Sequence, residues 1–229
     1  MIACGALGGH LREIAGRRGW DVRICCLPSM LHNTPREIGP AAGRLAAELL
    51  RDGYRVALAY ADCGSYGELD ELCRRLDIGR LPGLHCYDVL AGPDRISAAL
   101  EAEPGTYLLT DFLVRSFRHS VLEPLGLDRH PELWADYFGH YRRVVWLAQA
   151  RSAELEAEAG RVAGMFGLPL TVIEVGTARL ERELEALLAG TGLAGTGPTE
   201  TGLTGTGPTG TGPTGTGPTG TGASEAAAR

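Results

Sequence analysis

Residues 55–67 read Arg-Val-Ala-Leu-Ala-Tyr-Ala-Asp-Cys-Gly-Ser-Tyr-Gly. Arg55 to Ala61 is a short apolar run bounded by turn residues, which predicts a buried strand. Asp62-Cys63-Gly64 ends it, and Leu69 to Leu76 continues with helical spacing until Gly79. Strand, glycine break and helix together form the repeating unit of an α/β fold.

The unit recurs in both directions. Upstream, Ile2 to Cys4 is a short apolar start, and Ala6 to Arg18 places Leu7, Leu11 and Ile14 on one helical face. Val22 to Leu27 is a second apolar run, stopped by Pro28. Pro35 to Arg51 predicts a helix that opens on proline and stops at Gly53. Downstream, Leu84 to Tyr87 reads as extended, Ile96 to Leu100 as a short helix, and Thr106 to Thr110 as a strand followed by Asp111-Phe112. The pattern then turns helical over Leu113–Leu122, Pro131–Ala150 and Ala153–Met165. Leu170 to Val175 is a last strand and Ala178 to Leu188 a last helix. This order predicts an α/β domain: a mainly parallel sheet with helices on both faces, Rossmann-like and three-layered, with a helical C-terminal part.

The domain occupies residues 1–189. Residues 190–229 are Thr, Gly and Pro in low-complexity repeats, with Pro208, Pro213 and Pro218 spaced by five. With almost no apolar side chains to bury, that segment reads as a disordered tail. The domain carries 21 of the 22 basic and 26 of the 28 acidic residues, a net of −5, which argues against a nucleic-acid partner. Every basic residue is arginine, which removes Schiff-base and phosphate-loop lysines from consideration. Met1-Ile2-Ala3-Cys4-Gly5 does not read as a signal peptide, and no run of 18 apolar residues suggests a membrane helix. The expectation is a cytoplasmic protein whose six cysteines are thiols or metal ligands rather than disulfides.

In parallel α/β sheets, ligands bind at the carboxyl ends of the strands. Those ends carry Cys4-Gly5, then Pro28 through His32 and Asn33, then Asp62-Cys63-Gly64, His85-Cys86-Tyr87, and Thr110-Asp111. Sulfur and imidazole donors suit zinc, iron or an iron–sulfur cluster. Cys4, Cys63 and Cys86 are the candidate metal ligands, with His85 or His32 as companion, although no CxxC spacing supports them. Asn33, Asp62, Gly64, Tyr87 and Asp111 are the candidate ligand-binding groups beside them. The competing reading is that small cysteines simply pack under a crowded strand edge. If Leu84–Tyr87 is a strand, His85 and Cys86 face opposite sides and only one meets the site. Cys25, Cys26 and Cys73 read as filler. A second polar group, Asp128, Arg129, His130 and His140, could line a pocket for an anionic group, while the aromatics around it read as core. The glycines after Asp62 match neither the Walker nor the Rossmann spacing, so nucleotide binding is a weak expectation.

Together these blocks resemble the bacterial and archaeal family known as domain of unknown function 1638. The resemblance rests on Ala3-Cys4-Gly5-Ala6-Leu7, Leu27-Pro28 with Leu31-His32-Asn33, Asp62-Cys63-Gly64, His85-Cys86-Tyr87, Thr110-Asp111-Phe112-Leu113, Gly126 to Leu133 and Tyr137 to Arg142. It covers roughly residues 1–188 and departs at Ser65-Tyr66, where relatives often carry smaller residues. It implies a shared fold and site without naming a reaction. It also implies an association, and no more, with corrinoid-dependent methyl transfer. Three functions stay open: an enzyme or other metal- or cofactor-binding protein, a non-catalytic accessory that binds a small ligand, and a structural or interaction role in which the Cys/His set is core. No protein partner is indicated.

Overall fold

The computed structural model describes residues 1–192; the rest of the Thr/Gly/Pro tail lies outside the described residues. The predicted α/β class holds, but its strands form two parallel sheets rather than one. The first has the order β2 (Cys25–Leu27), β1 (Ile2–Cys4), β3 (Leu58–Ala59). The second has the order β4 (Thr106–Thr110), β5 (Arg143–Ala148), β6 (Leu170–Glu174). In the first, Ala3 pairs with both Cys26 and Ala59, so the three strands leave the sheet side by side. In the second, Thr110 pairs with Leu147, and Leu147 with Ile173.

Burial explains the layers. Helices α1 (Gly8–Arg18), α2 (Ile38–Arg51) and α3 (Glu68–Leu76) turn apolar faces, among them Leu11, Ile14, Ala42, Ala46, Leu69 and Leu72, toward the first sheet. Val89 and Leu90 of α4 (Cys86–Ala91) and Leu180, Leu184 and Leu188 of α9 (Ala178–Gly190) join the same core. Strand periodicity divides the second sheet. Leu109, Val144, Trp146 and Ala148 meet α6 (Asp111–Phe117) and α8 (Ala153–Phe166) on one side. Leu108, Val145 and Leu147 meet Ile96 of α5 (Pro93–Ala102) on the other. No helix among the described residues is long and apolar enough to cross a membrane.

Two sequence expectations change. Pro131–Ala150 is not one helix: a 3-10 turn (Pro131–Leu133) and the short α7 (Trp134–Phe138) precede β5. The aromatic stripe Trp134, Phe138, Tyr141 is core, packed on Tyr107 and Phe166, and its spacing runs on by coincidence into a strand buried on both faces. The second change is at Leu84–Tyr87, which forms no strand: His85 keeps extended backbone but caps a helix. The Asp88 carboxylate accepts the backbone N–H groups of Leu84 at 2.8 Å and His85 at 3.1 Å, and α4 starts at Cys86.

One carboxylate fastens the second sheet. Asp111 is fully buried and accepts hydrogen bonds from Trp146 Nε1 at 2.9 Å, Gln149 N at 3.1 Å and Ala150 N at 2.8 Å. Its own N–H donates to Gln149 Oε1 at 2.9 Å. It therefore ties the β4–α6 turn to the exit of β5. Asp111→Ala strands two buried donors and the partly buried Ala150 N–H, and urea unfolding is expected to show a loss of about 2–4 kcal/mol.

Candidate functional site

The exit of β1 positions the first thiol. A Cβ on Gly5 would lie 2.7 Å from the Leu27 carbonyl and 3.0 Å from the Ser29 nitrogen. Only glycine lets the chain after Cys4 run this close to the chain after β2. That approach seats the 3-10 turn Ser29–Asn33 over the end of β1 and brings His32 to Cys4. The His32 ring is held at both nitrogens: Nδ1 lies 2.8 Å from the Ser29 carbonyl and Nε2 3.8 Å from Cys4 Sγ. A carbonyl can only accept, so Nδ1 carries a proton and Nε2 is presented to sulfur. Burial disfavours the imidazolium, but hydrogen bonding toward Cys4 and then Cys63 outweighs it, and the ring is pushed up to about 11.

The second thiol sits on a strained loop. Cys63 and Tyr66 both have φ near 52°, in the left-handed region, as do Gly64 at 84° and Gly67 at 87°. Asp62 holds this shape. Its carboxylate accepts Gly64 N and Tyr66 N at 3.1 Å, Ser65 Oγ at 3.1 Å and Gly67 N at 2.8 Å. Burial opposes its charge, but the Gly67 N–H, the Ser65 hydroxyl and the other two N–H groups outweigh that and hold the carboxyl below its usual range. The Cys63 N–H donates to the Leu84 carbonyl at 2.7 Å, which joins this loop to the segment leading into α4.

Cys86 occupies the first position of α4. Burial, followed by the nearby Cys63 and Cys4, pushes its thiol well above the ordinary value. Cys63 and Cys4 thus act on Cys86, and the same two act on His32. Tyr60, just beyond β3, completes the group: its ring stacks on His32 with centroids 6.3 Å apart. Its side chain is fully buried and its hydroxyl has no hydrogen-bond partner. Burial, then Cys4 and Cys63, raise the phenol's pKa. Among the described residues, no group of three or more His, Cys, Asp or Glu is arranged to hold a metal ion.

A cavity of about 140 Å³ adjoins the thiols. Ala6, Ser29, Met30, His32 and Asn33 line it from the first sheet, and Thr110, Phe112, Leu113 and Ser120 from the second. Cys86 and Tyr87 stand between them. A larger concavity of about 990 Å³ runs past Arg55, Gly79 and Arg80 to Gly192. It contains none of the thiols and ends on the last described residue, so the smaller cavity is the candidate site.

The structure brings together Cys4, Cys63, Cys86 and His32, and places Asn33 and Tyr87 at the cavity. It leaves His85 exposed and outside the lining. Asp62, Gly64 and Asp111 shape the backbone: the two carboxylates are spent on protein donors, and Gly64 supplies one of those donors and a left-handed turn. Arg129, His130 and His140 are exposed on the connection before β5, with His130 paired to Glu132 and none of them in the cavity wall. Sequence reading missed Tyr60, whose hydroxyl in an otherwise Ala/Val/Leu run was the available signal, since a buried phenol needs a partner.

Because the Asp62 carboxyl is held below its ordinary value of 3.8, its stabilisation is present above that pH and lost as pH falls through the folded value. Asp62→Asn is therefore expected to destabilise the protein at neutral pH. The gap to wild type should close below about pH 4, as followed by thermal unfolding across pH.

No curated protein and no solved structure matches the chain. A family model does match, over residues 26–184, well over half of the 229 residues. Its span takes in His32, Tyr60, Cys63, Cys86 and Asp111, and Cys4 lies ahead of it. The chain belongs to the family described as Protein of unknown function (DUF1638).

Proposed function

We propose that this protein binds a thiophilic metal ion, zinc or iron, or an iron–sulfur cluster, through Cys4, Cys63 and Cys86, with His32 as a further donor. The observation that carries the reading is an oriented imidazole against Cys4, with Cys63 in the same core cluster and Cys86 packed on it, next to a buried phenol without a partner. Buried polar atoms are almost always satisfied, and an orphan beside soft donors fits a site whose bound group supplies the partner. His32 is oriented as metal-bound histidines are, with its other nitrogen fixed by a carbonyl. Loading requires the thiols to turn toward a common point and to release their protons. A metal held there would act as a Lewis acid on a species in the adjoining cavity. All six cysteines are free, which fits a reducing, cytoplasmic setting.

Metal analysis of anaerobically purified full-length protein tests this. Wild type is expected to carry stoichiometric metal, Cys63→Ser and Cys86→Ser to lose it, and Cys73→Ser to keep it. Metal-free wild type of normal stability would overturn the reading. Tyr60→Phe gives an independent check: the metal-free protein should unfold at the same or higher temperature, because an unsatisfied hydroxyl is removed, while metal is held less tightly.

A second reading is favoured by the Cys4–His32 pair itself. Without metal, an imidazole facing a thiol can activate it as a nucleophile. Rapid alkylation of Cys4 in metal-free protein, lost in His32→Gln, would select this reading. A non-catalytic accessory that binds a small ligand would show neither metal nor a fast-reacting thiol.

A further inference from the structure

The cavity beside the thiols specifies the class of molecule it admits. Its size comes first: about 140 Å³ is close to the volume of a protein cavity that holds benzene, so roughly six or seven non-hydrogen atoms fit. Its charge comes second. No Asp, Glu or Arg lines it, and the one basic group, His32, has both nitrogens committed, to Ser29 O and to Cys4 Sγ. An anion entering there would lose part of its hydration and find no free counter-charge, because His32 is already shared with Cys4, which is costly between mostly apolar walls. The walls are third. Ala6, Met30, Phe112 and Leu113 offer apolar contact, while the hydroxyls of Ser29 and Ser120 and the Asn33 amide offer a few polar points. That is the usual composition of a small-molecule site, an apolar body with a few orienting groups.

We propose that the cavity is a substrate pocket for a small uncharged organic molecule with an apolar body and a single polar end. Such a ligand is seated across both sheets, against Cys86 and His32. The assignment takes the thiol cluster as the reacting partner and so rests on the function proposed above. The pocket's selectivity is for neutrality: the charged counterpart of a good ligand is excluded even when its shape is the same.

The test uses phenol and cyclobutanecarboxylate as probes of equal non-hydrogen atom count and different charge. Binding to the full-length protein is followed by saturation-transfer NMR, with metal content measured on the same samples. Phenol is expected to bind saturably at one site and cyclobutanecarboxylate at least tenfold more weakly. Ser120→Phe fills the cavity from the second sheet and Asn33→Trp covers it from the first, both at positions with some exposure and outside the thiol cluster. Either is expected to abolish phenol binding with metal content unchanged. Cyclobutanecarboxylate binding as tightly as phenol, no phenol binding at all, or phenol binding that survives both variants overturns the pocket. Metal-loaded protein that ignores phenol defeats this inference alone, and metal-free protein that binds phenol defeats the metal reading alone.

Discussion

Every strand pairing among the described residues is parallel, and a parallel pair cannot be closed by a tight turn. Each strand must leave its sheet, cross over through a helix and return, so all three strands of a sheet discharge their next residues at one edge. With β1 and β5 as the central strands, the exits of both sheets become the places where unrelated segments meet. The turns after β1, β2 and β4 supply the cavity walls, and Cys63 is delivered beyond β3 by the same rule. The site's position is a consequence of strand direction before any side chain is considered.

Two carboxylates make those exits rigid. Asp62 and Asp111 each end a strand, and each spends its oxygens on backbone or side-chain donors. Asp62 holds a loop with two non-glycine residues in the left-handed region, a conformation disfavoured by about 1–3 kcal/mol each unless the surroundings enforce it. The enforced strain aims Cys63. Asp111 fixes the turn that carries Phe112 and Leu113 into the cavity. Both residues serve the site without lining it.

This division explains how much was legible in the sequence. The α/β class followed from alternation, and Thr106–Thr110 is a strand with the bounds expected. Cys4 and Cys63 were legible because the residues leaving successive strands share a position in the repeating unit. Residues 143–148 were not, because a strand buried on both faces has no alternation and here continues an aromatic stripe at helical spacing. The separation into two sheets was illegible too, since strand order is set by long-range pairing that local pattern does not encode. His85 and Cys86 were misassigned for a local reason: Asp88, three residues on, caps the chain into a helix. Asp62 and Asp111 looked like ligands because a sequence shows a carboxylate's charge and hides its hydrogen bonds.

Cys86 is the one thiol that both belongs to the cluster and lines the cavity. Its burial raises the energy of its thiolate, and so does any negative charge on Cys63 and Cys4. Only a positive centre between the sulfurs, or proton sharing with His32, relieves that repulsion. The apolar walls sharpen the same constraint, because a low dielectric strengthens every charge inside them. A neutral guest leaves this balance undisturbed while standing next to the sulfur. The chemistry open to the site is therefore set by what balances charge among the thiols, and the cavity's lack of ionic groups keeps that balance independent of the molecule that enters.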